Sequence, residues 1–199
     1  MPFISDKARK DASATGVKPY LNPGKIKDGE STRFAILQDT PIEFYELWGC
    51  GAQDPKVRHP FRFDQEPTPD DIKVALGEDY VRPLTKDGKS LEPVKLAQAV
   101  LVYNHDAEAV QCFQWNQKTI TSQLDAISQL EDYAESFPFD VDLVLARTGQ
   151  GTDTVYNLQV VPRRKGTDAA IKAALTEIEE KGYDVTRLVG GGDPFAASE

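Results

Sequence analysis

"LAQAVLVYNHDAEAVQCFQWNQKTI" spans residues 96–120. Two apolar runs flank the short polar segment "HDAE". The stretch therefore predicts a β-hairpin that leads into a helix. A strand alternates its side chains between two faces. On the first run Leu96, Val100 and Val102 share one face, and Ala97, Leu101 and Tyr103 the other. On the second, Val110, Cys112 and Gln114 oppose Gln111, Phe113, Trp115 and Gln117. Both faces of the hairpin are thus apolar. One must fill the core, while the other is covered by helices or left open for a ligand. Phe113 and Trp115 stand among glutamines, close to Lys118, and the choice turns on them. They are either core or a surface on which something flat can stack.

The flanking sequence repeats the hairpin pattern. A strand near Thr32–Leu37, the turn "DTP" and "IEFYELW" (42–48) predict one hairpin. "FDVDLVLAR" (139–147), the glycine turn "TGQGTD" and "TVYNLQVVP" (154–162) predict another. In its second strand Tyr156, Leu158 and Val160 alternate with Asn157 and Gln159, so one face is buried. Ile120, Leu124 and Ile127 give the intervening segment a helical stripe. A last helix over 167–181 places Ile171, Ala174, Leu175 and Ile178 together. Between the first two hairpins lies a long irregular segment, Gly49–Pro93, with a helix at "TPDDIKVAL" that starts on Pro69. A segment this long is usually functional or an inserted lobe.

The predicted architecture is mainly β with α: an OB-fold-like antiparallel barrel with an irregular insertion and a C-terminal helix. An α+β sandwich is the alternative. The expected organisation is a disordered arm over 1–17 and a core over 18–165 with the insertion at 49–95. A C-terminal helix over 166–189 and a flexible acidic tail over 190–199 follow.

Composition narrows the function classes. Of 199 residues 40% are hydrophobic and 28% charged, as in a globular chain. No apolar run approaches the ~20 residues of a membrane span, so no membrane partner is expected. The first sixteen residues do not resemble a secretory signal. Two cysteines, Cys50 and Cys112, suggest no disulfide framework, and a reducing cytoplasm is the expected compartment. The net charge of −9 disfavours bulk attraction to duplex DNA. The charge is uneven, with +2 over residues 1–30, −7 over 31–165 and −4 over 166–199. An acidic end suits protein partners or competition for a basic groove.

Catalytic signals are poor, and the expectation is a protein that is not an enzyme and uses no cofactor. There is no nucleophile elbow, P-loop or dinucleotide fingerprint. Cys50, Cys112, His59 and His105 lack the close spacing of a zinc site. The acids of "DVD" (140–142) are expected to face solvent. Basic residues interleaved with aromatics are better represented. "KVRHPFRF" sets Arg58 and Arg62 around Phe61 and Phe63, "EFYELW" brings Phe44, Tyr45 and Trp48, Lys118 follows Trp115, and "PRRK" ends the last strand. Single-stranded nucleic acid is bound by this mixture of cations for phosphates and flat rings for bases. The other reading is that the aromatics are core and the cations solvated.

Several strings, in this order, resemble one known family: "KPYLNPGKIKDGESTRFAIL", "FYELWG", "HPFRF" followed by "EPTPDDI", "VYN", "WNQKTI" and "FDVDLVLARTGQGTDTVYNLQVVP". The family is the OB-fold single-stranded DNA-binding proteins of tailed bacteriophages. The matching residues are Asn116, Gln117, Lys118, Thr119 and Ile120, then Asp140, Arg147, Gly149, Gly151, Asp153, Thr154 and Tyr156. The likeness covers about residues 18–163. It implies a non-catalytic accessory of phage DNA replication or recombination that coats exposed single strands. Some relatives carry a zinc-stabilised lobe in the insertion, and its ligand set is missing here. The ending "GGGDPFAASE" is similar to the acidic Pro-Phe tips that recruit replication or recombination proteins, but four residues follow Phe195.

With the resemblance added, Trp115 is assigned to the binding face. The expected nucleic-acid-binding residues are Arg33, Tyr45, Trp48, Arg58, Phe61, Arg62, Phe63, Lys95, Tyr103, Phe113, Trp115, Lys118 and Arg147. The expected partner-binding residues are Asp193, Pro194 and Phe195. The rival expectation is an acidic protein-interaction domain, such as a phage structural or inhibitor protein, without nucleic-acid binding.

Overall fold

A computed structural model describes residues 19–133, 135 and 137–196. Its strands are β1 (Tyr20–Leu21), β2 (Ser31–Ile36), β3 (Ile42–Gly51), β4 (Arg58–Phe63), β5 (Tyr80–Val81), β6 (Lys95–Asn104), β7 (Ala109–Trp115), β8 (Val141–Thr148) and β9 (Val155–Pro162). Its helices are α1 (Pro69–Leu76), α2 (Lys118–Ser128) and α3 (Asp168–Lys181). The strands of all three anticipated hairpins are present and the second and third hairpins form, but the first does not: β2 and β3 each pair with β6 and not with each other. The arm expected over 1–17 lies outside the described residues.

The strands form one sheet ordered β1-β7-β6-β2-β8-β9, with β3 branching onto β6 and carrying β4 and β5. All pairings are antiparallel except β1 with β7, so the sheet is mixed. It does not close into the expected antiparallel barrel. The reason is visible at its edge: the Gln123 side chain of α2 donates to Tyr156 O at 3.0 Å and accepts from Leu158 N at 2.6 Å. A side-chain amide thus takes the hydrogen-bonding positions that a closing strand would use.

One face of the sheet curls around Phe34, Ile36, Val100, Val102, Phe113, Trp115, Leu143, Leu145 and Leu158, and Ile120 and Ile127 of α2 fill the hollow. The opposite face buries Phe44, Ala97, Ala99, Leu101, Val110 and Cys112 against Ala174 of α3 and against Val185 and Leu188 beyond it. Leu175 departs from the expected apolar stripe and is exposed. Both faces of the β6–β7 hairpin are therefore covered, which explains its double apolarity.

The insertion is more regular than expected. β4 pairs with β3 from Tyr45↔Phe63 to Cys50↔Arg58. α1 begins at Pro69 behind a Thr68–Asp71 capping box. Its Ile72 and Leu76 seal a satellite cluster with Leu47, Phe61, Phe63 and Tyr80.

The tail is corrected too. Residues 190–196 are not a free spacer. Pro194 is buried, and the Phe195 ring stands edge-on to Tyr183 at 4.9 Å and to Tyr20 at 6.3 Å. Asp184 N donates to Pro194 O at 2.9 Å. The aromatic that looked like a partner lure packs on the chain's own body.

Candidate nucleic-acid interface

On β3 the alternate residues Phe44, Glu46 and Trp48 share one face. Phe44 is buried, Glu46 is 3% exposed and Trp48 is 39% exposed. Across the pairing to β4, Trp48 lies opposite Pro60 and Glu46 opposite Arg62. Trp48, Pro60 and Arg62 border a groove of about 590 Å³, within the usual roughly 300–1,000 Å³ range of ligand sites. Gln114 of β7 joins its floor, while Tyr20, Asn22 and Lys25 form a wall and Gly191–Asp193 a lip.

Glu46 ties the groove together. Its Oε1 accepts from Trp48 Nε1 at 2.9 Å. Its Oε2 accepts from Gln114 Nε2 at 2.7 Å and Arg62 Nε at 3.2 Å. Arg62 also lies over the Phe44 ring, 5.7 Å from its centroid. Its charge is felt nearby. Burial, followed by Cys112 and Asp193, raises the Tyr20 hydroxyl above its ordinary pKa, and Arg62 opposes this. Burial pushes the Cys112 thiol up to about 12, again against Arg62.

A second cleft of about 610 Å³ is lined by Lys95, Leu96, Asn116, Lys118, Thr121 and other residues near the start of α2. Gln114 lines the first groove and Asn116 the second, two positions on along the same strand and its exit. Lys95 pairs in register with Glu46. Leu96 and Gln98 pair with Tyr45 and Glu43, on the face of β3 opposite Trp48, so the second cleft lies across the sheet from the first, and Lys95 stands at the strand end between them. Lys25, Lys95 and Lys118 have no ion-pair partner among the described residues.

Of the expected nucleic-acid-binding residues, Trp48 and Arg62 meet in the first groove, and Lys95 and Lys118 in the second. The others go elsewhere. Phe113 and Trp115 are 0% and 3% exposed and stack on each other at 4.7 Å. They are core, because α2 closes over their face and Trp115 Nε1 donates to Thr121 Oγ1 at 3.2 Å. Phe61 and Phe63 belong to the α1 cluster. Tyr45, half-buried, points to the opposite face of β3 from Trp48 by strand parity. Arg58 is exposed and pairs with Glu92 at 3.3 Å. Tyr103 is half-buried, 5.3 Å from the His105 ring and perpendicular to it.

Two arginines are structural braces. Arg147 donates to Gly24 O at 2.9 Å and Ile26 O at 2.7 Å, which holds the turn that carries Lys25. Arg33 donates to Asp142 Oδ2 at 2.7 Å and to Pro162 O at 2.6 Å. Asp142 corrects the reading of "DVD". It is 0% exposed, with His105 Nε2 at 3.1 Å and Arg163 Nε at 3.3 Å, while Asp140 faces solvent as expected. Three cationic or imidazole side chains compensate a carboxylate that has lost its water. Among the partner-binding residues, Asp193 lies on the groove's lip, whereas Pro194 and Phe195 are packed inward.

Sequence reasoning missed Glu46, Gln114, Tyr20, Asn22 and Lys25. A signal existed for Glu46: it interrupts an otherwise aromatic face, Phe44–Glu46–Trp48. Among the described residues no three His, Cys, Asp or Glu side chains converge as a metal site, and no helix is long and apolar enough to cross a membrane. Compared with known proteins, the chain matches no family model, no curated protein and no solved structure at a significant level.

Proposed function

We propose that the protein binds single-stranded DNA without reading its sequence, through the Trp48 groove and, round the end of the sheet, the Lys95–Lys118 cleft. The observation that carries this reading is Trp48 itself. It is a large ring 39% open to solvent on a groove wall, with Arg62 and Lys25 beside it. Base stacking on an exposed aromatic and phosphate contact with nearby cations need no sequence code. In this reading a strand leaving the groove passes Lys95, which pairs in register with Glu46, and rounds the end of the sheet to Lys118. In this reading the sheet is an OB-type architecture left open between its β1 and β9 edges. The protein coats exposed strands during phage replication or recombination and performs no chemistry on them.

The test is titration of a fluorescent oligo-dT at two salt concentrations. The expected result is binding that weakens with salt, by roughly 0.7 logarithmic units in affinity per unit log salt for each phosphate engaged. Absence of binding at low salt overturns the reading and leaves the acidic protein-interaction domain in its place.

A further inference from the structure

Glu46 is a carboxylate at a position whose strand neighbours on the same face are Phe44 and Trp48. It is 3% exposed, and its two oxygens take three donors, from Trp48, Arg62 and Gln114. A buried carboxylate is tolerated when it is paired and hydrogen-bonded, as here. The arrangement has two consequences for the groove. The indole is held by its one polar atom, so a side chain that would otherwise swing is ordered before anything binds. The charge of Arg62, whose side chain is 11% exposed, is cancelled at the floor. Lys25 on the wall then remains the cation without an ion-pair partner.

We propose that Glu46 is the positioning residue of this site. It orients the Trp48 ring and neutralises Arg62, so the groove takes a nucleobase while the phosphates run outside it, past Lys25, Lys95 and Lys118. This rests on the single-strand reading and names the part of the strand that enters. Ordering the ring in advance removes part of the entropy lost on binding. A neutral floor gives a phosphate no reason to leave water.

Glu46→Gln tests the positioning role. The two donors on Oε2 are both kept if the new carbonyl oxygen takes that place. The new amide then faces the Trp48 N–H, and two donors oppose each other. The ring should be released. In the free protein, acrylamide quenching of tryptophan fluorescence should rise, and it reports Trp48 because Trp115 is 3% exposed. Affinity for oligo-dT should fall about three- to tenfold, the size expected of one net hydrogen bond. In a Trp48→Ala background the same substitution should no longer lower affinity, because only the released charge of Arg62 is left to act.

Unchanged quenching, or an equal affinity loss in both backgrounds, overturns the role. If the parent binds no oligonucleotide, the function fails, while quenching still decides whether Glu46 holds the ring. Should Glu46→Gln fold poorly, Trp48→Phe keeps a flat ring without the N–H. Reduced affinity supports the role and parity with the parent overturns it. An abasic strand of equal length decides what enters the groove: it should bind at least about tenfold more weakly than oligo-dT. Equal binding means that phosphates are being held, which overturns the base-in arrangement.

Discussion

The chain's two tryptophans have similar local settings and opposite fates. Trp115 ends β7 and Trp48 lies three residues before the end of β3, and each gives its indole N–H to a side-chain oxygen. Trp115 donates to a hydroxyl on the helix that roofs it, and is core. Trp48 donates to a carboxylate beneath it, and its ring remains at the groove wall. The difference lies in what the chain does next. After Trp115 it turns into α2, which folds back over the same face. After Trp48 it runs through Gly49–Gly51 toward β4, and among the described residues the ring is left partly open. Exposure is therefore decided by the following element rather than by the residues adjoining the aromatic.

The largest effect separates the two rings by stability. Trp115→Ala should cost about 3–5 kcal/mol, because a stacked, fully enclosed ring leaves a cavity against Phe113 and Ile120. Thermal melting should show this directly, whereas Trp48→Ala should melt close to the parent. Equal losses for the two variants would mean that Trp48 supports the fold and is not kept for a ligand.

Much of the fold was legible because period-two alternation survives in strands with a covered face. β6, β7, β8 and β9 were readable from residues such as Val100, Val102, Leu143 and Leu158, and α2 from Ile120 and Ile127. Closure was not legible, since it depends on Gln123 reaching the edge of β9, a contact 35 residues apart in sequence. The site was half legible. Trp48, Arg62, Lys95 and Lys118 were visible as aromatic and basic residue types. Their sorting was not, because Arg33, Arg62 and Arg147 look alike in sequence and differ only in which buried oxygen they meet. Asp142 and Glu46 show the same limit. An acid in an alternating strand reads as solvent-facing unless its compensating cations, drawn from distant elements, are known.

The next effect tests the enclosed side of β7. Cys112 is 0% exposed, and burial raises its thiol from an ordinary 9.0 to about 12. The unfolded chain therefore ionises this thiol first. Between pH 9 and 12 the unfolded state holds fewer protons than the folded one, so stability falls as pH rises, by at most about 1.4 kcal/mol per unit. Urea midpoints should drop from pH 8.5 to pH 10.5. In Cys112→Ala the drop should be smaller, the remainder coming from Tyr20, Tyr103 and Tyr183, which burial also raises. An unchanged drop in the variant would mean that Cys112 is not shielded in solution.

The groove itself is tested by affinity. Trp48→Ala should weaken oligo-dT binding by about ten- to a hundredfold, since stacking is worth about 1–3 kcal/mol per base. Trp115→Phe, which keeps a core ring, should leave affinity near the parent's. A larger loss from Trp115→Phe than from Trp48→Ala would move the platform to the other face of the sheet.

The smallest effect concerns two arginines four residues apart on one strand. Arg62 is closed in over Phe44 with its charge cancelled by Glu46. Arg58 is 41% exposed at the side chain and pairs with a Glu92 that is itself 35% exposed. An ion pair this open contributes about 0.2–1 kcal/mol at best, because water and salt screen it and two long side chains must be held still. Arg58→Ala should therefore change the melting temperature little. It also frees no buried partner, since Glu92 can turn to water. If the strand reaches β4, Arg58 can leave Glu92 for a phosphate, and its removal lowers the salt slope of binding by about 0.7. If the strand stays between Lys25 and Lys118, the slope is unchanged. Salt titration of this one variant therefore locates the edge of the footprint: a change of about 0.7 extends it past Pro60, and no change ends it at Trp48.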